Sequence, residues 1–309
     1  MDGNQRSDLG DLNQKVNFLL HMAALGQQRG DEARINQGRI LTELYRARGG
    51  KHLKDYEFKV FSQWGEDGII QRLINEVPLA HRTFIEFGVE DFMESNCRYL
   101  LMNDNWQGMV LDGSSRNIET LRASYFFWKH DLKAIAAFIT AENIDALLAT
   151  AGFDPDLGLL SVDVDGVDFW ILQSIECVQP RILVVEYNAL FGPERIITVP
   201  YEADFQRTRK HHSNLYYGAS LGAMTALAAV RGYDLVGTNS AGSNAFFVRR
   251  DVRPESLPAL TVEQAYTPCR IREARDAQGR LTYATRDQQL DTIRGLPVVN
   301  IASGEVEPF

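Results

Sequence analysis

The sequence predicts an α/β protein built on a mainly parallel sheet that helices cover on both faces. From Ser62 onward, apolar runs of strand length alternate with segments whose apolar residues recur every three to four positions, the rhythm of repeated βα units. Several of those runs end in an acid or a glycine, as at Glu86-Phe87-Gly88, Asp112-Gly113 and Asp163-Val164-Asp165-Gly166, where open α/β sheets place ligands. The last two runs, 233–237 and 244–248, have little more than Ser240-Ala241-Gly242-Ser243 between them. A parallel crossover needs a dozen or more residues, so these two are antiparallel neighbours.

In chain order, residues 1–50 read as a helical arm. Leu9, Leu12, Val16 and Leu19 recur at helical spacing, as do Ile35, Ile40, Leu41 and Leu44 more loosely, which predicts two amphipathic helices broken near Gly26 and Gly30 and closed by Gly49-Gly50. An arm without a core of its own is expected to pack on the main domain or on another subunit, and a homo-oligomer joined through these helices is one expected outcome.

Residues 51–250 carry the main domain. Ile69, Ile70, Leu73, Ile74 and Val77 mark a helix that Pro78 stops, and strands follow at 83–88, 108–113, 134–139, 159–164 and 181–188. Helices at 96–102, 118–123, 144–150 and 169–175 separate them, and a small-residue helix at 219–230 leads into the final hairpin. A five-strand parallel sheet finished in this way is the pattern of Rossmann-like class I methyltransferases, with expected order 3-2-1-4-5-7-6 and strand 7 antiparallel. Residues 251–309 are a C-terminal extension with a hairpin expected over 269–285, turning at Asp276-Ala277-Gln278-Gly279.

With 309 residues, 45% hydrophobic and 24% charged, the chain can bury one large core. A formal charge of −9 argues against a general nucleic-acid or anionic-membrane binder. The run Arg207, Arg209, Lys210, His211, His212 reads as a solvated helix end or as a local basic pocket. No apolar run approaches a membrane span and the N-terminus lacks signal-peptide character, so a cytoplasmic protein is expected. Cys97, Cys177 and Cys269 are far apart and form no CxxC pair, as expected of reduced thiols.

The strand ends carry the chemistry. Gly88 lets the main chain approach a ligand, while Glu86, Glu90 or Asp91 can meet a cationic amino-acid portion. A turn with acids and no GxGxxG is a poor pyrophosphate cradle, which disfavours NAD or FAD. S-Adenosylmethionine has no phosphate and is positively charged, and acidic surroundings suit it. Asp112, beside Gly113, stands where an acid can accept both ribose hydroxyls or simply cap the next helix, and Thr140-Ala141 at the third strand end is placed to line the adenine. Asp163, Asp165 and Asp168 after the fourth strand, with Glu186 and Asn188 after the fifth, offer oxygen ligands to a hard cation such as Mg²⁺. Asp163, Asp165, Glu186 and Asn188 are the candidate ligands, and at least one of the three aspartates is expected to do no more than complement a helix dipole. A cation there can bind vicinal substrate hydroxyls and activate one. His211 or His212 can serve as general base or lie on the surface.

Phe61-Ser62-Gln63-Trp64-Gly65-Glu66-Asp67-Gly68, Phe84-Ile85-Glu86-Phe87-Gly88 and Ser161-Val162-Asp163-Val164-Asp165-Gly166 together resemble the motifs of FkbM-like S-adenosylmethionine-dependent methyltransferases over roughly residues 61–249. The third has Asp165 where Glu is common, and the first cofactor turn reads Gly-Val-Glu-Asp without the class's second glycine. The resemblance implies O-methylation, often of sugar hydroxyls in glycans or glycosylated natural products. The place of Asp163 at the end of the fourth strand sets it to face the acceptor or its metal. Two rivals remain at this level. Asp163-Val164-Asp165-Gly166 is also the start of a haloacid-dehalogenase-like Mg-dependent phosphatase with Asp163 as nucleophile, against which stand Val167 in place of Thr and the motif's position at a fourth strand. A non-catalytic scaffold with the same fold is the other.

Overall fold

A computed structural model describes residues 2–309, with side chains from Asp11 onward, so the side chain of Leu9 lies outside the described residues. The arm is a single helix, α1 (Asp2–Arg48), where the sequence predicts two. A glycine inside a helix costs only about 1 kcal/mol relative to alanine. Strong formers around Gly26 and Gly30, among them Ala23, Ala24, Leu25, Gln27 and Gln28, carry the helix through.

The strands of the main domain are β1 (Thr83–Phe87), β2 (Gln107–Asp112), β3 (Leu132–Ala136), β4 (Leu159–Val162), β5 (Ile182–Glu186), β6 (Ile197–Thr198), β7 (Tyr233–Thr238) and β8 (Asn244–Arg249). Between them lie α2 (Glu66–Glu76), α3 (Arg98–Asp104), α4 (Ser115–Arg122), α5 (Ile144–Ala149), α6 (Asp168–Ser174), α7 (Arg207–Lys210) and α8 (Leu221–Val230). The extension adds α9 (Val262–Ala265), α10 (Arg286–Ile293), β9 (Pro297–Asn300) and β10 (Val306–Pro308).

Among the described residues the main sheet runs β3-β2-β1-β4-β5-β8-β7, and β8 is antiparallel to both β5 and β7. With the two-residue β6 set aside, this is the order the sequence predicts. It is the sheet of class I methyltransferases. The strand order reverses at β1, which pairs with β2 on one side and β4 on the other, and a crevice opens there at the carboxyl ends.

Alternation along the strands builds two cores. Ile85, Phe87, Leu160, Val162 and Leu183 face α5, α6 and α8 and pack with Ile144, Phe169 and Met224. Phe84, Leu159, Ile182 and Val184 face the other way, onto Ile69, Leu73, Leu100 and Ile118 of α2, α3 and α4. By the same parity, the acids that end the strands emerge on the α2–α3 side.

The C-terminal half of α1 docks on this second layer. Asp31 and Arg98 form a buried ion pair at 2.6 Å, and the Tyr125 hydroxyl donates to the same Asp31 oxygen at 2.8 Å. Gly38 permits close approach, because a Cβ there would lie 2.6 Å from the Tyr99 hydroxyl.

The extension departs from expectation. The turn at Asp276 forms, with Asp276 Oδ1 accepting from the backbone N–H of Gln278 and Arg280, but one bridge between Arg275 and Leu281 replaces the expected hairpin. The chain then adds β9 and β10 to β6 as a small antiparallel sheet, β10-β9-β6. Among the described residues no helix is long and apolar enough to cross a membrane.

Candidate functional site

β4 and β5 pair in parallel with Val162 opposite Val185, so the next residue of each, Asp163 just past β4 and Glu186 at the end of β5, stands at the sheet's carboxyl edge beside the other. Asp165 joins them, and one carboxylate oxygen from each of Asp163, Asp165 and Glu186 lies within 4.8 Å of the others. Asp165 reaches this position through a left-handed backbone, φ +57°. Burial, then repulsion from Asp165 and Asp168, holds the Asp163 carboxyl well above the usual carboxylate range. Burial, then Asp163 and Asp165, does the same to Glu186, whose Oε2 is buried without a hydrogen-bond partner.

Asp168, the first residue of α6, is fully buried and serves the loop. Its oxygens accept from the backbone N–H of Val164 at 2.7 Å and Gly166 at 3.0 Å. That fixes the turn which presents Asp163 and Asp165.

Arg207 sits against the acids. Its Nη1 lies 3.0 Å from Asp165 Oδ1, its Nη2 pairs with Glu273 from the extension, and its guanidinium stacks 3.6 Å above the Tyr217 ring. The basic run therefore divides: Arg207 belongs to the site, and the histidines do not. His211 Nδ1 bonds the Ser213 hydroxyl at 2.7 Å, burial and then His212 push its pKa down, and His212 is exposed. Neither lines the cavities described below.

On the other side of Asp163 lies the glycine turn. Gly88 has φ +67°, and a Cβ there would stand 1.9 Å from the Asp163 carbonyl oxygen, so no other residue fits without moving β1 or β4. Two residues on, Glu90 holds φ +48°, a left-handed conformation that glycine adopts without strain. The N–H of Glu90 donates to Asp112 Oδ2 at 2.8 Å, which secures the turn.

Two cavities meet at Gly88, Glu90, Asp163 and Asp165. The first, of about 170 Å³, is walled by Asp112 and Gly113 from the end of β2, by Ala137, Phe138 and Ile139 after β3, and by Val167 and Phe205. The second, of about 230 Å³, opens between Trp64, Asn96, Glu186, Tyr217, Asn244 and Glu273. An acid beside an apolar-walled cleft at the switch point suits a nucleoside without phosphates; three carboxylates around one point, one of them with an orphaned oxygen, suit a hard divalent cation.

Several predicted site residues stand elsewhere. Glu86 borders the second cavity, but Oε2 accepts from the Ser95 hydroxyl at 2.5 Å and the Cys97 N–H at 3.1 Å, and Oε1 from the Asn96 N–H at 2.8 Å. It anchors the start of α3, and burial pushes it up to about 7. Asp112 keeps its place but shares Oδ1 with the Ser114 N–H and the Asn117 amide. Asp91 accepts from the Met93 N–H and lines neither cavity. β3 ends three residues before the predicted limit, so Thr140 and Ala141 fall outside the first cavity; their N–H groups go to Asn143 and the Tyr201 hydroxyl. Asn188 is not with the acids: its amide donates to the Leu215 and Tyr217 carbonyls at 3.0 Å each and its oxygen accepts from the Leu190 N–H.

The motif at residues 61–68 also has a structural task. Asp67 Oδ2 accepts from the N–H groups of Val60, Phe61 and Ser62 and from the Ser62 hydroxyl, while Glu66 Oε1 accepts from Asn239 and Asn244. The segment ties the start of α2 to the β7–β8 turn and sets Trp64, 41% exposed, at the second cavity's edge.

No protein-family model matches the chain, and no curated protein matches it. Among solved structures it is similar to an O-methyltransferase family protein from Burkholderia thailandensis, at 11% identity over 70% of this chain and 71% of that one, with a TM-score of 0.37. It is similar at 9% identity and a TM-score of 0.39 to an O-methyltransferase from Bacillus cereus in complex with SAH, over 70% of this chain and 89% of that one. The same identity and TM-score relate it to the N-terminal domain of EvdMO1, in the presence of SAH and D-fucose, over 70% of this chain and 97% of that domain. Superpositions this loose say nothing of substrate, and the fold stands on its strand order.

Proposed function

We propose that the protein is an S-adenosylmethionine-dependent O-methyltransferase acting on a hydroxyl of a sugar, in a glycan or a glycosylated natural product, with a divalent cation such as Mg²⁺ at its acids. The observation that carries this reading is the meeting of the glycine turn, with Asp112 beside it, and the three-carboxylate cluster at Asp163. When bound, S-adenosylmethionine supplies an electrophilic methyl group, and the cation supplies Lewis acidity to a hydroxyl.

The chain's own residues do the rest. Gly88 admits the cofactor's amino-acid portion close to the backbone, Asp112 accepts from a ribose hydroxyl on the Oδ2 lone pair that Glu90 leaves free, and Phe138, Ile139 and Phe205 exclude water from the purine. Asp163, Asp165 and Glu186 hold the cation and orient the acceptor. Asp163, which gives the cluster one carboxylate oxygen, takes the hydroxyl proton on the other. Trp64 offers an aromatic face, and Asn96 and Asn244 amides, to a polyhydroxylated acceptor in the second cavity. Positioning accounts for much of the rate, because nucleophile, methyl carbon and sulfur must lie in line.

The phosphatase reading is not favoured: the acids sit after a fourth strand, and Val167 packs in the wall of the first cavity. A screen of glycosylated acceptors with labelled cofactor tests the proposal. Transfer should fall at least about 100-fold in Asp163→Asn, the range general-base catalysis supplies, and should stop in chelator and return with Mg²⁺. Undiminished transfer in chelator removes the cation, and full activity of Asp163→Asn removes the assigned base.

A further inference from the structure

Helix α1 has two working faces, and its domain uses one. Asp31, Ile35, Gly38, Thr42 and Tyr45 follow three-four spacing along the docked face. About 160° round the helix, at 100° per residue, a second three-four stripe faces solvent. Its ends are large, with Leu12 57% and Leu19 65% exposed on one side and Ile40 67% and Leu44 55% on the other. Its middle is small: Ala23, Gly26, Gly30 and Ala33 are not buried, and a Cβ added at either glycine would meet nothing within 4 Å. From residue 11 to residue 24 the helix is exposed around its whole circumference, a state that an isolated helix in water does not sustain by propensity alone.

The stripe is its own mirror image about Gln28. Gly26 is as far from that residue as Gly30, Ala23 as Ala33, Val16 as Ile40, and Leu12 as Leu44; Leu19 against Gln37 is the one polar exception. Two identical helices crossing antiparallel at residue 28 set each position opposite its mirror partner, with an a position facing a d position in every layer, as antiparallel packing demands. The small central residues let the backbones approach where they cross, and the large ends close the seam. Charge agrees at the flank: exposed Lys15 of one copy falls beside exposed Glu43 of the other, whereas a parallel pair would set Lys15 beside Leu20. Arg29 meets its own copy at the axis, and Glu32 stands one turn along each helix to offset it. Each domain sits on the outer side of its helix, clear of the seam.

We propose that the protein is a two-fold dimer held by an antiparallel coiled coil of α1 with α1 of a second copy, the axis passing at residue 28. The proposal is independent of the chemistry assigned to the site. Sedimentation equilibrium of the full chain should give twice the mass of one chain, and Val16→Glu and Leu19→Glu, changed at surfaces that the single chain leaves open, should each give one chain mass with an unchanged near-ultraviolet circular dichroism spectrum, the signal of the domain's packed aromatic residues. Mixed chains carrying Ala23→Cys and Ala33→Cys should form the mixed disulfide in preference to either self-paired product, with the parent chain as control for its three native cysteines. A single-chain mass for the parent at high micromolar concentration, a dimer that survives Leu19→Glu, or preferential self-pairing of Ala23→Cys overturns it.

Discussion

Gly88 and Glu90 show how narrowly the turn at the switch point is specified. Replacing Gly88 with alanine drives a Cβ to 1.9 Å from the Asp163 carbonyl in a left-handed backbone, and should destabilise by about 3 kcal/mol or more while weakening cofactor binding. Glu90→Gly should do the reverse for stability, raising it by about 1 kcal/mol, since glycine holds φ > 0 without strain. Urea denaturation of both variants checks the pair; a neutral Gly88→Ala contradicts the geometry. Asp163 and Glu186 were legible because each directly follows a β-branched apolar run, so strand alternation places it. Arg207 was legible only as one charge in a basic run: its acidic partners, Asp165 and Glu273, lie 42 and 66 residues away along the chain. Asn188 misled because its partners are backbone carbonyls of Leu215 and Tyr217, which carry no sequence signal.

At the scale of elements, helix α1 is fastened by a buried charge pair. Asp31→Ala leaves Arg98 charged and uncompensated between Phe61 and Phe126, and should cost about 3–5 kcal/mol, read as a lowered urea midpoint. The start of α3 carries a pH dependence. Glu86 has an ordinary pKa of 4.5 and is pushed up to about 7 by burial, so the folded state holds a proton that the unfolded state has released between those values. Its contribution is fully present below about pH 4.5, declines as pH rises to about 7, and is flat above that, a change of about 3 kcal/mol. Asp67 and Asp168, pushed up to about 6 by burial, slope in the same direction. Unfolding free energy should therefore fall between pH 5 and pH 7.5, and Glu86→Gln should flatten part of that slope; an unchanged slope in the variant contradicts the assignment. Element reading failed where the physical signal is weak. Two glycines in a long run of helix formers do not end a helix, and β6, β9 and β10, two to four residues each, are too short for alternation to register.

For the molecule as a whole, the sheet was the most legible feature, because alternating βα segments and a short final hairpin leave few topologies, and the observed order is one of them. The small second sheet was not legible, since it joins segments about a hundred residues apart through strands with no pattern of their own. The extension nevertheless completes the site by bringing Glu273 to Arg207, so removing it should impair acceptor binding more than cofactor binding. The crevice at β1, β2 and β4 is the proposed seat of S-adenosylmethionine, and calorimetric titration of the folded protein with that molecule is its test. Saturable binding at one site per chain, weakened by Asp112→Ala, is the predicted result; no heat at high ligand concentration, with the fold confirmed by circular dichroism, would contradict it.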